Sequence, residues 1–209
     1  MKPSRLMADV SSNNGAISIP SYSRAGHVLI AIKATEGTHY TNPFHIGQSD
    51  RAHDYGLTVL HYHFCDQLKN IPGEIDHFRE QYNKAWRPGD YCCFDIEVPG
   101  WDQNSANTLL RDFAHKTAHE PIVYSDYSYF QSNLNGIVFP GNRVWIAAYQ
   151  LNQPKLSKIY NVVAWQYTDG KSGPGPKFYS GVGKCDGSII SIGMATRLAV
   201  RKIRTRKDK

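Results

Sequence analysis

Two carboxylates, Asp95 and Glu97, close an otherwise apolar run, Tyr-Cys-Cys-Phe-Asp-Ile-Glu-Val over 91–98. A buried charge costs several kcal/mol unless it is paired, so acids at the end of such a run need a reason. Alternation along a strand puts both on one face, about 7 Å apart along the backbone. Two carboxylates held that close do not ionise equally, and one can stay protonated near neutrality. That is a general acid with a neighbour to tune it. The plainer alternative is a pair of solvated strand-end charges.

The same anomaly recurs. Asp9 falls near the end of the run 6–10, Glu36 follows 28–34, and Asp186 interrupts 184–189. Acids at the ends of four different strands predict a polar centre. Aromatic residues recur at the same ends: Tyr62, Tyr124, Trp145, Tyr149, and Trp165 with Gln166 beside it. Aromatic faces next to carboxylates are what a sugar-binding groove needs, although each such ring can equally be core.

His61 and His63 form a His-x-His pair on one run, and with Asp95 or Asp186 they would make a metal set. Parity opposes this. If Tyr62 and Phe64 face the site, the two histidines do not. We expect no metal and no cofactor. The sequence holds no Gly-x-Ser-x-Gly elbow, no Gly-x-Gly-x-x-Gly, no Walker loop and no Cys-x-x-Cys. Ser125-Asp126 with a histidine makes a triad only on paper. Cys92 and Cys93 are expected as small buried thiols on opposite faces of a strand, and whether Cys65 and Cys185 meet is left open.

What must position these residues is a series of short apolar runs: 5–10, 27–34, 57–64, 91–98, 121–125, 143–149, 162–167 and 184–189. Helical periodicity separates the earlier ones, over 44–55, 73–86, 104–119 and, more briefly, 126–134. After Tyr149 the connections look irregular, and 169–176 (Asp-Gly-Lys-Ser-Gly-Pro-Gly-Pro) leaves no room for a helix. The prediction is an α/β fold: a single small TIM-like β/α barrel of eight strands, with short or missing helices in the last crossovers. In such a barrel the C-terminal strand ends line the active site.

The chain has 209 residues, 24 Lys plus Arg against 18 Asp plus Glu, and a net charge of +6. That excess would suit a polyanionic partner, but it is not spread evenly. Seven basic residues and one acid lie in 197–209, so residues 1–196 carry no net charge. We therefore divide the chain into a catalytic barrel over 1–196 and a basic tail over 197–209, expected to be flexible. The start lacks the apolar run of a signal peptide, and no stretch approaches the ~20 apolar residues of a membrane span.

In order along the chain, the motifs Ala8-Asp9-Val10-Ser11, 32–37 (Ile-Lys-Ala-Thr-Glu-Gly), His61-Tyr62-His63-Phe64, Phe94-Asp95-Ile96-Glu97, 121–125 (Pro-Ile-Val-Tyr-Ser), 145–149 (Trp-Ile-Ala-Ala-Tyr), Trp165-Gln166-Tyr167-Thr168 and Cys185-Asp186-Gly187-Ser188 resemble glycoside hydrolase family 25, the Chalaropsis-type muramidases. The resemblance covers roughly 6–191. It implies a peptidoglycan hydrolase, a lysozyme cutting the β-1,4 bond between N-acetylmuramic acid and N-acetylglucosamine. It implies Glu97 as proton donor, Asp95 raising its pKa and steering substrate, and Asp9 and Asp186 completing the catalytic acids. Tyr62, Tyr124, Trp145, Tyr149, Gln166 and Glu36 would then bind substrate. The implied mechanism is retaining and substrate-assisted, the sugar's own acetamido oxygen attacking.

Lacking a signal and a separate wall-binding domain, the chain looks like a phage lysin. It would wait in the host cytoplasm for release through a holin, or travel in the virion, with its basic tail contacting anionic wall polymers or a virion component. The alternatives are a non-catalytic wall-binding or structural virion module on the same scaffold, and a metal-dependent amide hydrolase using His61 and His63.

Overall fold

The computed structural model describes residues 5–66, 70–191 and 194. The basic tail expected over 197–209 lies outside the described residues.

The apolar runs become strands β1 (Leu6–Val10), β2 (Leu29–Glu36), β3 (Tyr40–Thr41), β4 (Thr58–Phe64), β5 (Tyr91–Asp95), β6 (Ile122–Asp126), β7 (Arg143–Ala147) and β8 (Asn161–Thr168), followed by β9 (Phe178–Tyr179), β10 (Gly183–Lys184) and β11 (Asp186–Ile190). In space the sheet runs β1-β11-β8-β7-β6-β5-β4-β2-β3, and β1 also pairs β2. That last pairing closes eight strands into the expected barrel, leaving β3 as an edge and β9–β10 as a separate ribbon. One feature departs from the parallel expectation: β11 is antiparallel to both its neighbours. Periodicity identifies a strand but carries no direction, and the helix-free stretch after β8 leaves the chain free to return the other way.

Helices α1 (Ile19–Arg24), α2 (His45–Asp54), α3 (Ile71–Ala85) and α4 (Gln103–Thr117) pack outside the sheet, and α5 (Tyr127–Tyr129) runs into a π turn at Phe130–Leu134. Two of them start at side-chain caps. Asn70 accepts a hydrogen bond from Gly73 N–H, and Asp102 and Ser105 cap α4 reciprocally. The missing helices are where composition placed them, after β7. The short α1, with Pro20 in its first turn, has too little periodicity to read in advance.

Strand parity then sorts the core into layers. Met7, Leu29, Ala31, Leu60, Cys93, Ile122 and Ala164 fill the barrel interior. Ala8, Ile30, Ile32 and Val59 face outward under α1 and α2, while Phe94, Val123 and Val144 face outward under α3 and α4. Cys92 and Cys93 go to opposite faces, as expected, and all four cysteines are buried and free. Among the described residues no helix is long and apolar enough to cross a membrane.

Candidate active site

Inward parity carries up to one rim of the barrel. Asp9 ends β1, Lys33 and Glu36 lie at the end of β2, and Tyr62 lies near the end of β4. Asp95 ends β5, and Tyr124 and Asp126 lie at the end of β6. Because β11 runs the other way, Asp186 reaches the same rim from the start of its strand. It sits directly opposite Asp9 in the antiparallel ladder. Like charges placed so are destabilising, which marks the arrangement as one that folding alone would not favour.

The strand holding the paired acids is shorter than the sequence suggests: β5 stops at Asp95. The Ile96 N–H still donates to the Tyr124 carbonyl at 2.9 Å, and Ile96 is buried in the outer layer. Alternation therefore persists for two more residues and turns Glu97 inward with Asp95.

The electrostatics follow from crowding. Asp95 is 7% exposed. Burial first, then the charges of Glu97 and Asp9, hold its carboxyl well above the usual range, and Lys33 offsets part of this. Burial, then Asp126 and Asp186, raise Glu97. Burial and Asp186 do the same to Asp9, against a hydrogen bond from the Tyr62 hydroxyl. Asp186 is pushed up to about 6 by burial and Asp169. Among the described residues, Asp9 Oδ1 and Asp95 Oδ1 are buried without a hydrogen-bond partner. Orphaned polar atoms of that kind are rare in folded proteins and are expected where a ligand completes the shell. The crowded carboxyls thus hold their protons to higher pH than free acids do, which suits general-acid chemistry.

The polar wall is pre-set. Gln166 Oε1 accepts from the hydroxyls of Tyr124 at 2.8 Å and Tyr149 at 3.1 Å, and its Nε2 donates to Asp9 Oδ2 at 3.3 Å. Beside Asp9, Tyr62 and Asp186 opens a cavity of about 430 Å³, whose far wall includes Ser11, Asn13, Asp169, Lys171 and Lys184.

Of the residues expected to meet substrate, Tyr149 is 43% exposed, and Tyr62 and Tyr124 are largely buried. Trp145 and Gln166 lie deeper. Trp145 is 1% exposed. It lies under Tyr124, ring centroids 4.7 Å apart, with its indole N–H on Ser188 Oγ at 2.9 Å. Its inward parity takes it into the barrel rather than onto a wall. Gln166, also 1% exposed, spends its amide on its three neighbours and orients them. Glu36 stays at the rim, paired with Lys33.

The histidines go elsewhere. His61 lies behind the sheet, hydrogen-bonded to His45 at 2.8 Å and Asp90 at 3.3 Å. His63 bonds Thr35 at 2.7 Å and Glu74 at 3.0 Å. Neither joins Asp95 or Asp186, because Tyr62 takes the inward position between them. That overturns the metal set built on these two histidines. One group, His63, Cys65 and Glu74, does bring three possible ligand atoms within 4.8 Å of one another, but behind the sheet and away from the cleft.

Sequence reasoning missed three charged members of the site: Lys33, Asp126 and Asp169. Lys33 was findable by the argument applied to the acids, since a charge in the middle of an apolar strand needs a partner. Asp126 ends β6 as Asp95 ends β5.

Comparison with known proteins agrees with this geometry. The model of "Glycosyl hydrolases family 25" matches residues 8–176. The "Autolytic lysozyme" of Clostridium acetobutylicum is 29% identical over 168 residues, covering 78% of this chain and 50% of that protein. The chain thus spans about half the length of this curated relative. The bacterial lysozyme of Streptomyces coelicolor superposes with a TM-score of 0.75 at 21% identity, covering 97% of this chain and 99% of that one. The CTP1L endolysin gives 0.75 at 21% identity, covering 93% of this chain and 69% of that one. At these identities the likeness speaks for the fold.

Proposed function

The chain belongs to glycosyl hydrolases family 25, and on that premise we propose that it is a muramidase, hydrolysing the β-1,4 bond between N-acetylmuramic acid and N-acetylglucosamine in bacterial peptidoglycan. One observation carries the reading: Asp95 and Glu97 share the inward face at the C-terminal end of β5, both with raised proton affinity, in a cleft also holding Asp9 and Asp186.

In this reading Glu97, its proton affinity raised by burial and by Asp126 and Asp186, gives its proton to the glycosidic oxygen as the bond breaks. Asp95, its own proton affinity raised by burial and by Glu97, lies beside it and accepts a hydrogen bond from the substrate at its orphaned Oδ1. The crowded acids suit a retaining reaction in which the acetamido oxygen of the substrate attacks the anomeric carbon and water later opens the ring so formed. Tyr62, Tyr124 and Tyr149 hold the sugar, with Glu36 at the rim.

The test is product analysis. Purified walls are digested, and new reducing ends are labelled with borohydride and identified by mass spectrometry. Reduced N-acetylmuramic acid is expected. Reduced N-acetylglucosamine, or newly freed amino groups, would count against the reading. Glu97→Gln should lose at least about 100-fold in turnover while still binding walls.

The endolysin among the structural relatives supports a phage lysin, reaching the wall through a holin or as part of a virion. The tail 197–209 would then touch anionic wall polymers or a virion component. If it tethers, deleting it weakens wall binding and flattens the salt dependence of that binding.

A further inference from the structure

One wall of the cleft has no part in the chemistry above. Between β8 and β11 the chain makes the loop 169–176 and then the β9–β10 ribbon, and residues of both line the cavity beside Asp9 and Asp186. Lys171 comes from the loop and Lys184 from the ribbon. Both are exposed, and among the described residues neither ammonium has a hydrogen-bond or ion-pair partner. The remaining charges on that cavity are the carboxylates of Asp9, Asp169 and Asp186.

The wall is built, not loose. Asp169 accepts from the Lys171 N–H at 2.8 Å, Lys177 Nζ donates to the Lys171 carbonyl at 2.6 Å, and the Thr168 hydroxyl donates to the Ser172 carbonyl. Gly173 has φ +80°, and a side chain there would run into the Tyr167 carbonyl. In the ribbon Lys184 stands directly opposite Phe178, so their side chains share a face. Phe178 is 72% exposed, whereas Tyr179 on the other face is buried against Tyr22 and Tyr167.

A ligand with its own carboxylates is repelled by the acid floor unless cations meet it elsewhere. Two unpaired ammoniums beside an exposed ring, facing an acidic floor, fit a ligand that is sugar at one end and an acidic, partly aliphatic chain at the other. We propose that Lys171, Lys184 and Phe178 form a subsite for the carboxylate-bearing peptide substituent of the muramyl unit, so that the enzyme prefers acidic, peptide-substituted glycan over the same glycan made neutral. This rests on the muramidase reading and adds a determinant of specificity to it. Lysine suits the task as a point charge that takes a carboxylate without demanding one geometry.

The test measures binding apart from turnover. The full chain carrying Glu97→Gln is titrated calorimetrically with N-acetylglucosaminyl-N-acetylmuramyl tetrapeptide, once with free carboxylates and once with them amidated. Exposed ion pairs are each worth up to about 1 kcal/mol, so at low salt the acid should bind about five-fold more tightly. The preference should vanish in the variant that adds Lys171→Ala and Lys184→Ala, and shrink in high salt. Equal affinity for acid and amide in the parent, or a preference that survives the double substitution, overturns the subsite. The borohydride assay on the wild-type chain judges the muramidase reading separately, since that assay does not depend on which peptide is carried.

Discussion

The two ends of β5 carry the same residue type in opposite states. At the start, Asp90 takes hydrogen bonds from His53 at 2.8 Å, His61 at 3.3 Å, and the backbone N–H groups of Val59 at 3.0 Å and Arg87 at 2.8 Å. Burial alone would raise its proton affinity, but the histidine and backbone donors outweigh it and hold the carboxyl well below the usual range. At the other end, Asp95 is as deeply placed, faces other carboxylates, keeps one oxygen orphaned and is pushed the opposite way. Burial is common to both. The donors supplied by the neighbours decide the sign. A buried aspartate with a full set of donors holds the fold together, and one without them is held ready for a ligand.

That contrast can be broken most sharply by exchanging charge for amide at each end. Asp95→Asn should lower kcat/KM for wall hydrolysis by about 100-fold or more. It should leave the urea midpoint unchanged or higher, because it removes repulsion; a lower midpoint with retained activity would reverse the assignment. Asp90→Asn should do the converse. Removing one partner of a buried charged set costs about 3 kcal/mol, read as a fall in the urea midpoint, while folded enzyme keeps its turnover.

The pH dependence carries the same opposition. Asp90 is depressed in the folded chain, so its contribution is present above the unfolded value near ~4 and is lost as pH falls through the folded value. Asp186 is raised to about 6. Stability therefore declines as pH rises from ~4 through about 6 on its account, and Asp186→Asn should remove up to about 2 kcal/mol of that decline, discounted for its partial exposure. Urea titrations at pH 4 and pH 7 measure it.

A finer probe is Lys33, whose charge lowers the proton affinity of Asp9, Asp95 and Glu97 alike. Lys33→Met should move the basic limb of the kcat/KM profile to higher pH. A shift to lower pH would mean that Lys33 does not act on the proton donor. The smallest effect is expected at Trp145. Trp145→Phe loses the bond to Ser188, about 1 kcal/mol of stability, and as a floor beneath Tyr124 it should leave turnover within about twofold.

The barrel was legible because each of its strands is a short apolar run, and because runs that end in acids repeat around it. Direction was not legible. The alternation that places Asp186 inward reads the same forward and backward, so β11 could be found and its reversal could not. Parity at β4 had two candidates, and Tyr62 against Asp9 won over His61 and His63 because Asp90, His45 and Glu74 waited behind the sheet to receive the histidines. The depth of Trp145 and Gln166 was illegible for a related reason. Their parity was right, but depth along the strand decides between rim and interior, and apolar pattern does not encode depth.

The reversal of β11 also brings its far end back beside the start of β1. Ile190 N–H donates to the Arg5 carbonyl at 2.8 Å, and Arg5 Nε returns a bond to the Ile190 carbonyl at 3.0 Å. Arg5 and Ile190 therefore lie side by side at the pole remote from the cleft, with Met194 buried against the barrel interior. That adjacency suits the span 5–190 to circular permutation, with new termini cut into a surface loop and Arg5 joined to Ile190 by a short bridge.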